Sequence, residues 1–508
     1  MAKSSMILVF VHGWSVTNTE TYGGLPARLR NEAKARGINV EIKHVFLGRY
    51  ISFHDEVRLP DVARAFNKAV DDELGSLLEG GKRFVCITHS TGGPVVRDWW
   101  HRYYDGVQGS GACPMSHLVM LAPANFGSAL AQLGKGRIGR LKSWFGGVEP
   151  GQGVLDWLEL GSAESWELNT AWIEHGDSKI AANGILPFVL TGQTIDRKLY
   201  DHLNAYTGES GSDGVVRVAA ANLEGRMIEL KQEAPRKKTG KKGGLEAPNL
   251  TVARVVPGPE TALKIIGRAS HSGSRKGIMR SVRVKAGHAR GRQVVDAIFE
   301  CIAVSNRSEY RQLVEKYRSE TDQTQTDERL EIEEVLLLAD KRFVHDRHSM
   351  VVFRVHDDEG YPVSDFDLVL TGGKDNDPDK LPAGFFVDRQ RNNTSRNIIT
   401  YFFNYDIMVG APLVKDKDKV IRPATEGVEA LGVKVIPRPS TGFVHYLNCD
   451  IQASKDLLHH VLQPNTTTLV DICLRRVVRK NVFRMSRMKG DSSKGGFKKT
   501  RPGDDFVS

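Results

Sequence analysis

The sequence predicts a doubly wound, mostly parallel α/β sheet followed by an all-β, sandwich-like domain. Buried-strand runs alternate with helical stretches over the first three hundred residues, the pattern of a parallel sheet covered on both faces. Short strands separated by turns take over in the last third. A chain of 508 residues is also too long for one ordinary core, so two domains are expected.

Ile7 to Val11, Phe84 to Thr88, Leu118 to Ala122 and Leu186 to Thr191 are the strand candidates of the first part. Leu59 to Leu78 carries apolar residues at helical spacing, and Pro94 to Tyr104 opens a helix with proline in its first turn, where the missing N–H costs nothing. Residues 126–172 break the alternation with glycines and with apolar residues such as Leu130, Trp144, Phe145, Leu155 and Trp157. They read as amphipathic helices over the end of the sheet, where a lid would sit, or alternatively as a packed excursion. Residues 233–250 form a Lys/Gly/Pro-rich loop. The expected division is a catalytic α/β domain over 1–305, a charged helical connector over 306–342, a β-sandwich-like domain over 343–480 and a basic tail over 481–508. Strands of the β domain are expected at Met350 to His356, Phe366 to Leu370, Asn397 to Asn404, Gly442 to Ile451 and Thr467 to Leu474.

Composition narrows the class of function. Forty per cent of residues are hydrophobic and 26% charged, and no run of about eighteen apolar residues could span a bilayer, which argues against an integral membrane protein. The apolar run at the N-terminus is short and ends in His12-Gly13-Trp14 instead of a small-residue cleavage site, so it reads as a strand and not as a signal peptide. Five cysteines lie scattered without metal-ligand or disulfide-like spacing, as in a chain made and folded in the cytoplasm. A net charge of +10 and a pI near 9.2 favour acidic partners, nucleic acid or anionic lipid. The charge is concentrated: Arg236 to Lys242 holds five Lys/Arg in seven positions, and Arg475 to Arg501 holds eleven against Asp491 alone.

The segment that carries chemistry is Phe84-Val85-Cys86-Ile87-Thr88-His89-Ser90-Thr91-Gly92-Gly93-Pro94. A buried strand runs into a serine flanked by small residues and then into a helix, the setting of a nucleophile elbow. Small neighbours are needed because such a serine sits in a strained backbone conformation. The helix that follows directs its positive end and its free N–H groups at a developing oxyanion, so the Thr91 N–H is one donor. His12-Gly13-Trp14 ends the first strand beside the elbow, and its glycine allows close approach, which makes the Trp14 N–H the second donor. Thr88 stands where glycine is usual, two residues before the serine. His12 precedes the nucleophile, whereas this fold places its base last, in the order Ser, acid, His.

His12-Gly13-Trp14, Thr88-His89-Ser90-Thr91-Gly92-Gly93 and Leu121-Ala122-Pro123-Ala124-Asn125-Phe126-Gly127-Ser128 together resemble the lipases of the α/β-hydrolase superfamily, including the GPI-inositol-deacylase-like lipases and the bacterial lipase effectors of type VI secretion. The resemblance covers roughly residues 5 to 300 and leaves the C-terminal domain unexplained. It implies that Asp213, in Ser212-Asp213-Gly214-Val215-Val216, is the acid of a triad, with Asp196 and Asp201 in reserve. It favours His271, in Ser270-His271-Ser272-Gly273, as the base; His288 has the same chain order and is the rival. No metal and no cofactor are expected, because the acid pairs in the β domain suit a solvent face and no His/Cys pair has zinc-ligand spacing.

The expectation is therefore a serine lipase or phospholipase with Ser90, His271 and Asp213 as its triad, acting on lipid esters at an anionic membrane face. The resemblance also implies release through a signal-independent secretion system, with the C-terminal domain serving membrane docking or binding to a carrier or immunity protein. Two other readings use the same residues: a cytosolic carboxylesterase or thioesterase on soluble esters, and a non-catalytic binding protein on a hydrolase scaffold. Nucleic acid is not an expected partner, since no DNA- or RNA-reading motif is present.

Overall fold

The computed structural model of the chain describes residues 5–12, 19–52, 54–106, 111–134, 151–181, 183–196, 209–234, 248–285, 287, 289–333, 341–454 and 461–478. Its main strands in the first half are β1 (Met6–His12), β2 (Val40–Phe46), β3 (Phe84–His89), β4 (Met115–Leu121), β5 (Leu186–Thr191), β6 (Gly225–Gln232), β7 (Leu250–Pro257) and β8 (Ala262–Ile265). The second half adds β9 (His348–Asp357), β10 (Phe366–Gly372), β11 (Phe386–Arg391), β12 (Ile398–Asn404), β13 (Ala430–Pro437), β14 (Cys449–Ser454) and β15 (Thr467–Leu474). The helices that frame them are α1 (Leu25–Ala35), α2 (Leu59–Ala69), α3 (Gly92–Tyr104), α4 (Ala163–Lys179), α5 (Ala289–Ala303) and α6 (Arg307–Asp327).

Six strands form an all-parallel sheet in the order β2-β1-β3-β4-β5-β8. Its central strands are unbroken apolar runs because helices cover both faces: α2 packs on α3, and α1 packs on α5. The sequence signals for β1, β3, β4 and β5 coincide with these strands, and β2 and β8 complete the sheet. This is the α/β-hydrolase arrangement, with the carboxyl ends of β1 and β3 side by side.

A second sheet, in the order β11-β12-β9-β15-β6-β7, shows how the two halves join. β6 and β7 lie within the segment expected to belong wholly to the catalytic domain, yet β6 pairs in parallel with β15, with Met227 opposite Leu469. Its central strands β12, β9 and β15 are buried on both faces and, with β6, divide their residues between two cores, whereas β7 and β11 at the edges are largely exposed. Met227, Met350, Val352, Ile398, Phe402 and Leu469 join the core of the parallel sheet. Ile228, Val351, Phe353, Ile399, Tyr401, Phe403 and Ile472 face a smaller antiparallel sheet, β10-β13-β14, through Leu368, Leu370 and Val435. Six large apolar side chains at about 1.5–3 kcal/mol each contribute on the order of 10 kcal/mol, comparable to the whole stability of an ordinary domain. The C-terminal β region is therefore a third layer bonded to the hydrolase, and not a separately tethered module.

Two further segments pack into the same body. The expected connector begins with α6, whose Tyr310, Leu313, Val314 and Tyr317 are buried. It covers the exposed edge of β8: the Tyr310 hydroxyl donates to the Pro187 carbonyl at 2.6 Å and accepts from the Ala262 N–H at 3.2 Å, while the Thr321 hydroxyl accepts from Ile265 N–H at 3.1 Å. Side chains thus supply the partners that an edge strand lacks. Residues 135–150 of the expected lid lie outside the described residues. In its flanking part Val154, Leu155, Trp157, Leu158, Trp166 and Trp172 are buried in the main core, which is the packed excursion. The basic segments 236–242 and 481–508 lie outside the described residues.

Candidate active site

Ser90 has φ +54°, the left-handed conformation of a residue at the tip of a sharp strand-to-helix turn. Its N–H donates to the Leu121 carbonyl at 3.0 Å, which ties the elbow to the end of β4. The glycines beyond it make room. A Cβ at Gly92 would stand 3.3 Å from the Thr88 Cβ, so the space that Gly92 leaves open is what lets Thr88 replace the usual glycine. A Cβ at Gly93 would stand 2.7 Å from the Pro123 Cβ, closer than real Cβ atoms come. Thr91 precedes α3 at its N-cap without a side-chain cap bond; in the first turn the Gly93 N–H donates to the Ser90 carbonyl at 3.2 Å and Pro94 has no N–H.

Asp213 and His271 meet Ser90 from two loops. The Asp213 turn closes on itself, with Oδ1 accepting from Val215 N–H at 3.0 Å and Val216 N–H at 2.8 Å, and Gly214 at φ +95°. Its other oxygen, Oδ2, lies 2.9 Å from His271 Nδ1, and His271 Nε2 lies 3.0 Å from Ser90 Oγ. A carboxylate only accepts, so Nδ1 carries the hydrogen and Nε2 presents its lone pair to the serine hydroxyl. The backbone adds a bond between the same loops, from His271 N–H to the Asp213 carbonyl at 3.0 Å. Both side chains are wholly buried.

The other sequence candidates stand elsewhere. His12 is buried with its Nε2 2.9 Å from His44 Nδ1 and its ring stacked on Phe46, so it supports the end of β1. Asp196 pairs with Arg275 at 2.9 Å. Trp14, Asp201 and His288 lie outside the described residues. Among the described residues no group of three or more His, Cys, Asp or Glu is placed to hold a metal.

Three residues that sequence reasoning passed over lie against these loops. His89 lies with its ring 4.7 Å from the His271 ring, and its Nε2–H donates to the His271 carbonyl at 3.0 Å. Ser128, within the quoted Asn-Phe-Gly-Ser segment, donates from Oγ to the Val215 carbonyl at 2.6 Å. Arg217 follows the Asp213 turn and is buried between two carboxylates, Glu209 and Asp388. Adjacency to Ser90 could have flagged His89; a lone arginine near an Asp-Gly turn carries no such signal.

Burial strips these histidines of their basicity. Desolvation, with His44 second, pushes His12 down to about 3, and desolvation with His271 second pushes His89 down to about 3. Desolvation pushes His348, on β9, down to about 4. All three folded values lie below the ordinary value of 6.5, so between 6.5 and about 3 the unfolded chain binds more protons than the folded one, and stability falls as pH drops through that window. Thermal melts should show the midpoint falling steadily from pH 6.5 toward 4; a flat midpoint over that range would contradict the burial of neutral imidazoles.

A parallel sheet with a strained serine at the end of a central strand, bonded to a histidine and through it to a carboxylate, defines a serine ester hydrolase of the α/β-hydrolase type. No family model matches the chain, and no curated protein matches it. Among solved structures, phospholipase PlaB from Legionella pneumophila is 43% identical over 95% of this chain and 97% of that one, with a TM-score of 0.80. The same phospholipase in complex with thio-NAD is 42% identical over the same shares, also with a TM-score of 0.80. The chain belongs to the family of this phospholipase, β-rich C-terminal half included.

Proposed function

We propose that the chain is a phospholipase that hydrolyses carboxylic esters of membrane lipids through an acyl-enzyme on Ser90. The observation that carries this reading is the unbroken relay from Ser90 Oγ to His271 to Asp213, at 3.0 and 2.9 Å. Ser90 attacks the ester carbonyl while His271 Nε2 takes its proton, and Asp213 holds the ring and stabilises the imidazolium. The N–H groups of Thr91 and Trp14 hold the oxyanion; one such donor commonly contributes on the order of 10²–10³ in turnover. His271 then returns the proton to the leaving alcohol, and water, activated by the same base, releases the fatty acid. The substrate class is supported by the likeness to the Legionella phospholipase and by the basic composition.

The basic tail draws the enzyme to anionic bilayers, and a signal-independent system exports it, with the C-terminal region available to a carrier or immunity protein. Assay of the pure protein on phospholipid vesicles and on short p-nitrophenyl esters tests the substrate. Charge reversal at Lys494, Lys498, Lys499 and Arg501 should lower activity on anionic vesicles and spare the soluble ester, and raised salt should mimic it, since exposed charges are screened beyond roughly 8 Å at physiological ionic strength. Parent-like behaviour on vesicles at all salt concentrations would remove the tail from the mechanism. Hydrolysis of soluble esters alone would leave the carboxylesterase reading.

A further inference from the structure

The turn that presents Asp213 is staked at its far side to the C-terminal sheet. Arg217 is 2% exposed, and its Nε and Nη2 donate to the two oxygens of Glu209 at 2.8 Å each. Nη2 also donates to Asp388 on β11, and the guanidinium carbon lies 4.2 Å from the centre of the Phe402 ring on β12. Glu209 and Arg217 flank the turn, whose backbone closes between them through the Ser212–Arg217 bridge and a bond from Val218 N–H to the Gly211 carbonyl at 2.9 Å. His348 of β9 stacks on Phe402 and fills the place where a Cβ at Gly211 would be, 2.5 Å from its Nδ1. The loop that carries the acid thus lies flat on three strands of the second sheet.

Stability alone does not account for this arrangement. Burying a guanidinium with two carboxylates costs about as much in desolvation as their attraction returns, and apolar replacements are often neutral or stabilising. Burial works against the Arg217 cation and raises the pKa of Glu209, yet Glu209 and Asp388 raise the Arg217 pKa above the ordinary guanidinium value, so the guanidinium stays charged. What a planar fork between two carboxylates does provide is direction, since a lysine in its place offers a point charge without fixed donor geometry.

We propose that Arg217 is a positioning residue for the hydrolase reaction: by fixing the Asp213 turn to Asp388 and Phe402, it makes the C-terminal sheet part of the catalytic apparatus. The proposal rests on the reading of Asp213 as the triad acid. It predicts that weakening the stake misaligns Asp213 without touching the substrate, and misplacement of about 1 Å can lower turnover on the order of 10²-fold.

The test uses the full chain with Arg217→Lys, which keeps the charge and loses the fork, and Asp388→Asn, which keeps the shape and weakens one anchor by removing its charge. Turnover of a soluble short-chain ester is normalised to sites titrated by a fluorophosphonate, and melting temperature and the pH–rate profile are recorded alongside. The expected result is a kcat lowered by roughly ten- to a hundredfold at unchanged KM. The acid limb of the profile should move to lower pH, because a misaligned carboxylate stabilises the imidazolium less. A merely structural network would lower the melting temperature and leave kcat per titrated site and the acid limb at parent values, which overturns the proposal. If Arg217→Lys fails to fold, Asp388→Asn, which retains the Glu209 fork, decides the question. Asp213→Asn is measured in parallel: parent-like turnover there sinks the triad reading itself, whereas a dead Asp213→Asn beside parent-like Asp388→Asn and Arg217→Lys sinks the coupling alone.

Discussion

Ser90→Ala is expected to lose ester hydrolysis by a factor on the order of 10⁴ to 10⁶ while melting at the parent temperature. The loss is large because the hydroxyl is the atom that bonds to the substrate, and it is the group that His271 Nε2 meets, at 3.0 Å. The fold should be indifferent, since Ser90 holds the elbow through its backbone, by the bond from its N–H to the Leu121 carbonyl, and that bond survives truncation. Removing the hydroxyl also relieves nothing in the buried Asp213–His271 pair. Steady-state turnover on a soluble ester together with a thermal melt checks both halves; a folded Ser90→Ala enzyme with parent turnover would place the chemistry on another residue.

His271→Ala should cost as much as Ser90→Ala, and the double mutant should be no slower than either single mutant. Residues that act as one unit are not additive: without the base the serine is a weak nucleophile, and without the serine the base has no proton to move. The expected residual rate is that of oxyanion stabilisation and binding alone. His288→Ala should behave as the parent, because the relay to Asp213 is already complete through His271. A dead His288→Ala beside an active His271→Ala would mean that the working base comes from the other loop. His271→Ala also leaves the Asp213 carboxylate buried without its ring partner, so its melting temperature should fall where that of Ser90→Ala does not.

The elbow is legible in sequence because everything it needs is local: an apolar strand, a serine between small residues, and a helix start within a dozen positions. The juxtaposition of Asp213 and His271 rests on chain order and family likeness, since no local pattern tells a triad histidine from any loop histidine. β1, β3, β4 and β5 are legible because strands buried on both faces are apolar throughout, whereas β2, Val-Glu-Ile-Lys-His-Val-Phe, carries charge at the sheet's edge and hides. β6 and β7 are illegible for a different reason. The partner of β6, β15, lies more than two hundred residues away, β7 pairs with β6, and the Lys/Gly-rich stretch between β6 and β7 signals a loop more loudly than eight alternating residues signal a strand. The charged appearance of α6 misleads in the same manner, because its buried tyrosines are read against a background of surface charge, and only the exposed edge of β8 explains what they cover. Arg217 is invisible to motif reasoning since its partners are brought together by the fold, whereas His89 stands within the elbow motif and only its bond to the His271 carbonyl is hidden.

The Ser90 mechanism is tested most directly by treating the full chain with a fluorophosphonate and locating the adduct by peptide mass spectrometry while residual phospholipid hydrolysis is followed. The relay predicts a single adduct, on Ser90, whose formation tracks the loss of activity and slows drastically in His271→Ala. An enzyme that still hydrolyses phospholipid after Ser90 is fully modified, or that loses activity through an adduct on a different residue, would contradict it.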